Sequence, residues 1–368
     1  MNAAIRTTSF AVTVLILSLV LAACGGSESS QGSSEPLTVY SGRSQALVEG
    51  LVERFEEQAD FPVNLRYGKD AQLVNALREE GEQSDADLFW ANTTGALGTA
   101  SETGMLTSLP DSIMRRPASY APEGNQWVPV TARFRVLAYN TNAVDSTELP
   151  SSVWELRNAE QFEGRIGWTP AYSSFQDFLT AMRSKYGPDS TRTWLRQMQQ
   201  LNPESYTSNT PMILDLADGE LDVALTNHYY VQRLKHGGGE GEYEGGEEEE
   251  EREEEKKGES QQPDAPVATH HFETGDAGNL ALVTGAGVLQ ASRQQKKALR
   301  FLSFLLSKEA QQFAAQQVNE YPVTRSAGTL PDRFLPVDQA MRLSPQFDYE
   351  KLRNMDPTLS LMREEGLL

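Results

Sequence analysis

Apolar positions fall into two spacings along this chain: short runs that read as strands, and i, i+4, i+8 stripes that read as helices. Leu37-Thr38-Val39-Tyr40 is a short apolar run stopped by Ser41-Gly42. The stretch after it puts Leu47, Val48, Leu51, Val52 and Phe55 on one face, as in an amphipathic helix. Residues 61–67 then read as a strand, residues 71–80 as a helix carrying Leu73, Val74 and Leu77, and residues 87–90 as a third strand, with a helix from about residue 95. Strand-helix-strand units of this length predict a parallel sheet with ligand-facing loops at the carboxyl ends of its strands. Further strands are expected at 133–139, 164–168 and 221–225, helices at 175–185 and 191–201, and one long apolar helix over 297–317.

Two segments break this rhythm. Residues 1–23 carry Arg6, an apolar run from Phe10 to Leu21 and small residues before Cys24, which reads as a signal peptide too short for a membrane span. Residues 24–35 are rich in Gly and Ser and read as a flexible tether. The second break covers residues 236–266, with 13 acidic and 3 basic residues and almost nothing apolar, a composition expected to form a disordered acidic insertion. The length that remains is that of two domains.

Charge and cysteine content narrow the function. The chain carries 32 basic and 52 acidic residues, a net charge of −20, which argues against a nucleic acid or an anionic membrane surface as partner. A single Cys excludes a disulfide framework, a Cys-based zinc site and an iron–sulfur cluster. No GxSxG elbow or HExxH helix is present, and none of the four His has a catalytic setting, so an enzyme is not expected.

Several phrases carry a resemblance: VYSGRSQALVEGLVERFE, SDADLFWAN, GRIGWTPAYSSFQDF, DGELDVALTNHYY, GDAGNLALVTGAGVL and NEYPV, in that order. Together they resemble the ferric-iron-binding substrate-binding proteins of bacterial ABC importers, over nearly everything after Leu37 except the acidic insertion. The resemblance implies an α/β, two-lobed periplasmic-binding-protein fold of type II, with a ligand cleft between lobes joined by crossing strands. It places lobe one at 36–132 plus 276–322 and lobe two at 133–275 plus 323–368. It also implies an extracytoplasmic, monomeric protein that delivers ferric iron to an ABC permease and ATPase. Leu21-Ala22-Ala23-Cys24-Gly25 resembles the bacterial lipobox, which would make Cys24 the lipidation site and a lipid anchor the only membrane contact.

Within this resemblance the adjacent Tyr229 and Tyr230, just after the strand LDVAL, take the places of two iron ligands. Ferric iron is a hard cation that favours oxygen donors, and binding would pull the phenols far below their ordinary pKa of about 10. The family's first-lobe His and Glu ligands fall at Ser44 and Asn92, neither a good ferric ligand, so the coordination needs completing by an anion such as carbonate or bicarbonate, or by water. Ser173 and Ser174 match the family's anion-binding turn, Asn209 and Asn227 its amide donors, and Arg43 and Arg133 offer fixed positive charge.

Plainer readings compete. Arg43 could pair with Glu49 in solvent, and Tyr172 aligns with no ligand and reads as a residue of the cleft wall. His228 reads as structural, strand alternation turning it away from Tyr229. His270 and His271 would point to opposite faces of a strand rather than share a metal, and Tyr321 reads as a packing residue. The loss of the His and Glu positions also keeps open a binding protein of the same fold for an organic anion, a phosphonate or a polyamine.

Overall fold

The structure is a computed structural model in which residues 35–118, 120, 122–237 and 261–368 are described. The expected signal peptide, Cys24 and most of the acidic segment lie outside these residues. Ten strands are present among the described residues: β1 (Leu37–Ser41), β2 (Val63–Tyr67), β3 (Leu88–Ala91), β4 (Val128–Asn140), β5 (Ile166–Trp168), β6 (Glu204–Ser205), β7 (Val223–Asn227), β8 (Val267–His270), β9 (Ala281–Val288) and β10 (Tyr321–Pro322). The longer helices are α1 (Gln45–Glu56), α2 (Asp70–Glu80), α3 (Thr94–Glu102), α4 (Ser173–Tyr186), α5 (Pro188–Gln200), α6 (Asn209–Asp218), α7 (His228–His236), α8 (Gln295–Leu305) and α9 (Lys308–Phe313), and α10 (Asp356–Glu364) closes the chain.

The apolar stripe of α1 is fully buried, and Phe55 meets Phe301 of α8 edge to face at 5.0 Å between ring centres. The helix expected over 297–317 is instead broken. Ser307 interrupts it, its hydroxyl accepting the Ala310 N–H at 3.2 Å to cap α9, so the apolar pattern continues across a real helix end.

The sheet is mixed rather than parallel. β1 pairs in parallel with β2 and β3, and β5 in parallel with β6 and β7, as the strand-helix-strand units require. β9 is antiparallel to β3 and β4, and β4 is antiparallel to β7 and β8. The order is β2-β1-β3-β9-β4-β7-β5-β6, with β8 and β10 also on β4.

β4 organises the molecule. Val128 to Phe134 pair with β9, whereas Arg135 to Tyr139 pair with β7, so one continuous strand belongs to both halves of the sheet. Side chains alternate along a strand, and Thr131, Arg133 and Arg135 therefore share a face while Ala132 and Phe134 take the other. All five are buried. This is the two-lobed α/β fold of type II periplasmic binding proteins, joined by crossing strands.

The C-terminal stretch touches both halves. Thr94 Oγ1 donates to the Tyr349 carbonyl at 3.2 Å, and a Cβ on Gly95 would lie 3.1 Å from the backbone of Leu352, so glycine permits the close approach of this turn to α3. Farther on, Arg183 of α4 donates to Thr358 Oγ1 of α10 at 2.8 Å. The ends of the acidic segment belong to the fold: His236 ends α7, Gln262 N–H donates to the Leu234 carbonyl at 2.7 Å and Ala265 is buried. The sequence boundaries of 236 and 266 are thus too wide, because composition alone does not register the backbone hydrogen bonds at the two ends.

Candidate functional site

β7 ends at Asn227, whose extended backbone turns directly into α7, so Tyr229 and Tyr230 sit in the first turn of a helix rather than on a strand. Helical spacing lets neighbouring side chains lie at the same end of the element, and the two rings stack at 4.2 Å with a 31° tilt. Both are nearly inaccessible, at 2% and 4% exposure. Arg233, one turn on, covers both faces from 5.3 and 5.5 Å.

Tyr172, at the residue before α4, joins the pair: its hydroxyl lies 2.7 Å from that of Tyr230. The first turns of α4 and α7 therefore meet with their tyrosines in contact, and the positive ends of both helices favour negative charge here. The plain wall role expected for Tyr172 understates this contact.

Beside the phenols lies a cation that sequence reasoning passed over. Arg135 is 1% exposed; it donates to the Leu225 carbonyl at 3.2 Å and, over a long 3.4 Å, to Ser174 Oγ. Burial pulls its pKa down to about 10, against the opposing pull of Tyr229, Tyr230 and Asp177. Asn227 Nδ2 also donates to Ser174 Oγ, at 3.2 Å, and Asn209 Oδ1 accepts from Thr226 Oγ1 at 3.0 Å. Asn209 Nδ2 and Asn227 Oδ1 have no hydrogen-bond partner among the described residues, although both side chains are buried. Such unpaired groups are uncommon in a settled interior.

The first-half residues form a second knot. Arg43 is buried; it donates to Asn92 Oδ1 at 2.8 Å and to Glu320 Oε1 at 2.7 Å. Glu49 is instead held by Gln45, so the solvent pairing considered for Arg43 does not occur. Arg133 donates to the Asn92 carbonyl at 2.9 Å, and its Nε lies 3.9 Å from Glu320. Glu320 also accepts from Thr131 Oγ1 at 2.5 Å. Two guanidinium groups thus share one buried carboxylate. Ser44 Oγ has no partner among the described residues.

A cavity of about 430 Å³ opens between the halves, with Gly42, Asp70 and Asn92 on one wall and Ser173 and Asp177 on the other. Asp70 is half-buried, and its carboxylate accepts from the Asn92 and Thr93 N–H groups at 3.0 and 2.9 Å and from Thr93 Oγ1 at 2.7 Å. Burial raises its pKa, opposed by these bonds and by Arg133. The tyrosine cluster does not line this cavity.

The histidines stand apart. His228 Nδ1 accepts the Phe134 N–H at 3.1 Å within a cluster of aromatic rings, and burial lowers its pKa to about 3. Its role is structural, as expected, although helical geometry and not strand alternation directs it. His270 Nε2 meets the Pro150 carbonyl at 2.9 Å, and Tyr321 packs on Phe134 and Phe334. Among the described residues no three His, Cys, Asp or Glu side chains form a metal-holding group.

Residues 50–336 match the family model described as bacterial extracellular solute-binding protein. The chain belongs to that family. This solute-binding protein is 25% identical over 366 residues to the Fe(3+)-binding periplasmic protein of Serratia marcescens, covering 99% of both chains. It is 27% identical over 290 residues to the major ferric iron-binding protein of Neisseria meningitidis serogroup B, covering 78% of this chain and 80% of that one. Among solved structures, iron-bound HitA from Pseudomonas aeruginosa superposes with a TM-score of 0.74 at 28% identity, over 90% of this chain and 99% of that chain. The family binds and carries solutes rather than transforming them.

Proposed function

We propose that this solute-binding protein captures ferric iron outside the cytoplasm and hands it to an ABC importer, with Tyr229, Tyr230 and Tyr172 as the oxygen donors. The observation that carries this is the contact of Tyr172 with Tyr230 at 2.7 Å beside the stacked Tyr229, in a chain similar to two ferric-iron-binding proteins and to one solved with iron bound. Two phenolates at that distance would repel one another, so without metal at least one of the two holds a proton. A hard trivalent cation takes the place of those protons, and three phenolates balance its charge.

The remaining coordination falls to an anion, for which carbonate or bicarbonate is the first candidate. Ser173 and Ser174 at the start of α4 offer backbone N–H groups, the amide of Asn209 is an unpaired donor, and Arg135 supplies positive charge. Arg43 and Arg133, sharing Glu320, leave a net charge of one on the opposite side, beside Ser44 and Asn92. The lobe boundaries are proposed where β4 changes partners. The permease and ATPase, the monomeric state and anchoring through a lipid on Cys24 belong to the same proposal.

The test is a ferric titration in bicarbonate followed in the visible range. A tyrosinate-to-iron charge-transfer band should grow to one equivalent, with proton release, and bleach on acidification. Tyr229→Phe, Tyr230→Phe and Tyr172→Phe should each weaken or shift the band. A colourless complex, or three Phe variants with wild-type spectra, would sink the tyrosine site and move the reading to an organic anion held by the arginines.

A further inference from the structure

Away from the tyrosine cluster lies a second cavity, of about 480 Å³, beside the C-terminal turn. That volume suits a small organic ligand. Its walls are aromatic: Tyr349 stands perpendicular to Tyr120, at 5.4 Å and 86°, and to Phe347, at 5.6 Å and 88°. Trp127, 1% exposed, adds a fourth ring. Rings meeting at right angles present π faces in more than one direction to whatever lies in the corner they make.

The charged residues that line this corner have one sign, although Arg353, outside the lining, lies 3.9 Å from Glu350. Glu123, Asp348 and Glu350 line the cavity, and no Lys, Arg or His does so among the described residues. Glu123 is exposed, while Asp348 accepts the Glu350 N–H at 3.1 Å and reaches Lys351 only at 3.9 Å. An inorganic cation is a poor occupant, since these carboxylates do not converge into a metal-holding group.

We infer that this cavity binds a small organic ammonium ion, the cation against the rings of Tyr120, Phe347 and Tyr349. The combination of aromatic rings and a carboxylate rim selects this class over a neutral apolar molecule, which would gain nothing from the carboxylates, and over an anion, which they would repel. The site is independent of the ferric reading, because it shares no residue with the tyrosine cluster.

The test is calorimetric titration of the iron-free full-length protein with choline and with its neutral isostere 3,3-dimethylbutan-1-ol, alongside tryptophan fluorescence. Choline should bind one per chain, and the isostere at least about tenfold more weakly, because it lacks the charge. Glu123→Gln, at an exposed position that leaves the fold intact, should weaken choline roughly threefold, and Phe347→Leu about tenfold, with the isostere unmoved by Glu123→Gln. No heat or fluorescence change with choline, equal affinity for the isostere, or wild-type choline binding in both variants would overturn the proposal.

Discussion

Arg135→Met removes the buried charge beside the phenols and keeps much of the side chain's volume. Burial lowers the guanidinium pKa from its ordinary value to about 10, a drop of about two and a half pH units. At roughly 1.4 kcal/mol per unit, the interior disfavours this charge by about 3 kcal/mol relative to the unfolded chain. The sign is fixed: the group is charged in both states near pH 7, the folded pKa is the lower one, and the penalty persists until pH rises through about 10 toward the ordinary guanidinium value. Its hydrogen bonds, at 3.2 and 3.4 Å, are long and return little. Without iron, the variant should therefore be as stable as wild type or more so, by up to about 2 kcal/mol after the lost bonds are counted. With ferric iron the balance reverses. Loss of a charge that supports the phenolates should cost about 1.5–3 kcal/mol, a ten- to hundredfold drop in affinity. Urea unfolding of iron-free protein and a citrate competition titration measure the two effects separately. A variant clearly less stable than wild type, yet binding iron with unchanged affinity, would show that Arg135 is a scaffold residue and that the argument from its burial is wrong.

Other perturbations test other parts of the molecule. Glu320→Gln leaves Arg43 and Arg133 without their shared carboxylate and should lower stability by about 3 kcal/mol in urea unfolding; a change under about 0.5 kcal/mol would mean the knot is solvated. Replacing residues 238–260 by a short Gly/Ser linker should move stability by less than about 1 kcal/mol, since the Gln262 to Leu234 bond already holds the ends together; a large loss of iron affinity would assign the glutamates a role in capture. Cys24→Ser should move the protein from the membrane to the soluble extracytoplasmic fraction without altering iron binding, and identical partition of both proteins would end the lipoprotein proposal.

Much of this was legible in the chain, and the gaps have physical causes. The stripe Leu47 to Phe55 and the run before Ser41-Gly42 are local patterns, and both elements form where expected. The break at Ser307 is hidden because apolar residues resume at helical spacing at Ala310, Phe313 and Ala314, and only the cap geometry marks the end. Arg135 could have been found: Thr131, Arg133 and Arg135 alternate with Ala132 and Phe134, the mark of a strand with one polar face, yet only Arg133 was singled out. Tyr172 could not be joined to Tyr230 by any local pattern, because 58 positions separate them and two helix starts must converge first. Glu320 falls in the phrase NEYPV with no local sign of its role, and its carboxylate gains meaning only once Arg43, 277 positions earlier, folds against it.

The change of partner along β4 sets how this molecule can yield. A strand hydrogen-bonded to β9 up to Phe134 and to β7 from Arg135 can flex most easily at that junction, where neither ladder braces both sides. Arg133 and Arg135 flank the junction, one tied to the Asn92 loop and the other to the Leu225 carbonyl. A movement of one half against the other would therefore act on both cations at once, and the C-terminal stretch, bonded to Thr94 on one side and Arg183 on the other, would have to yield with it.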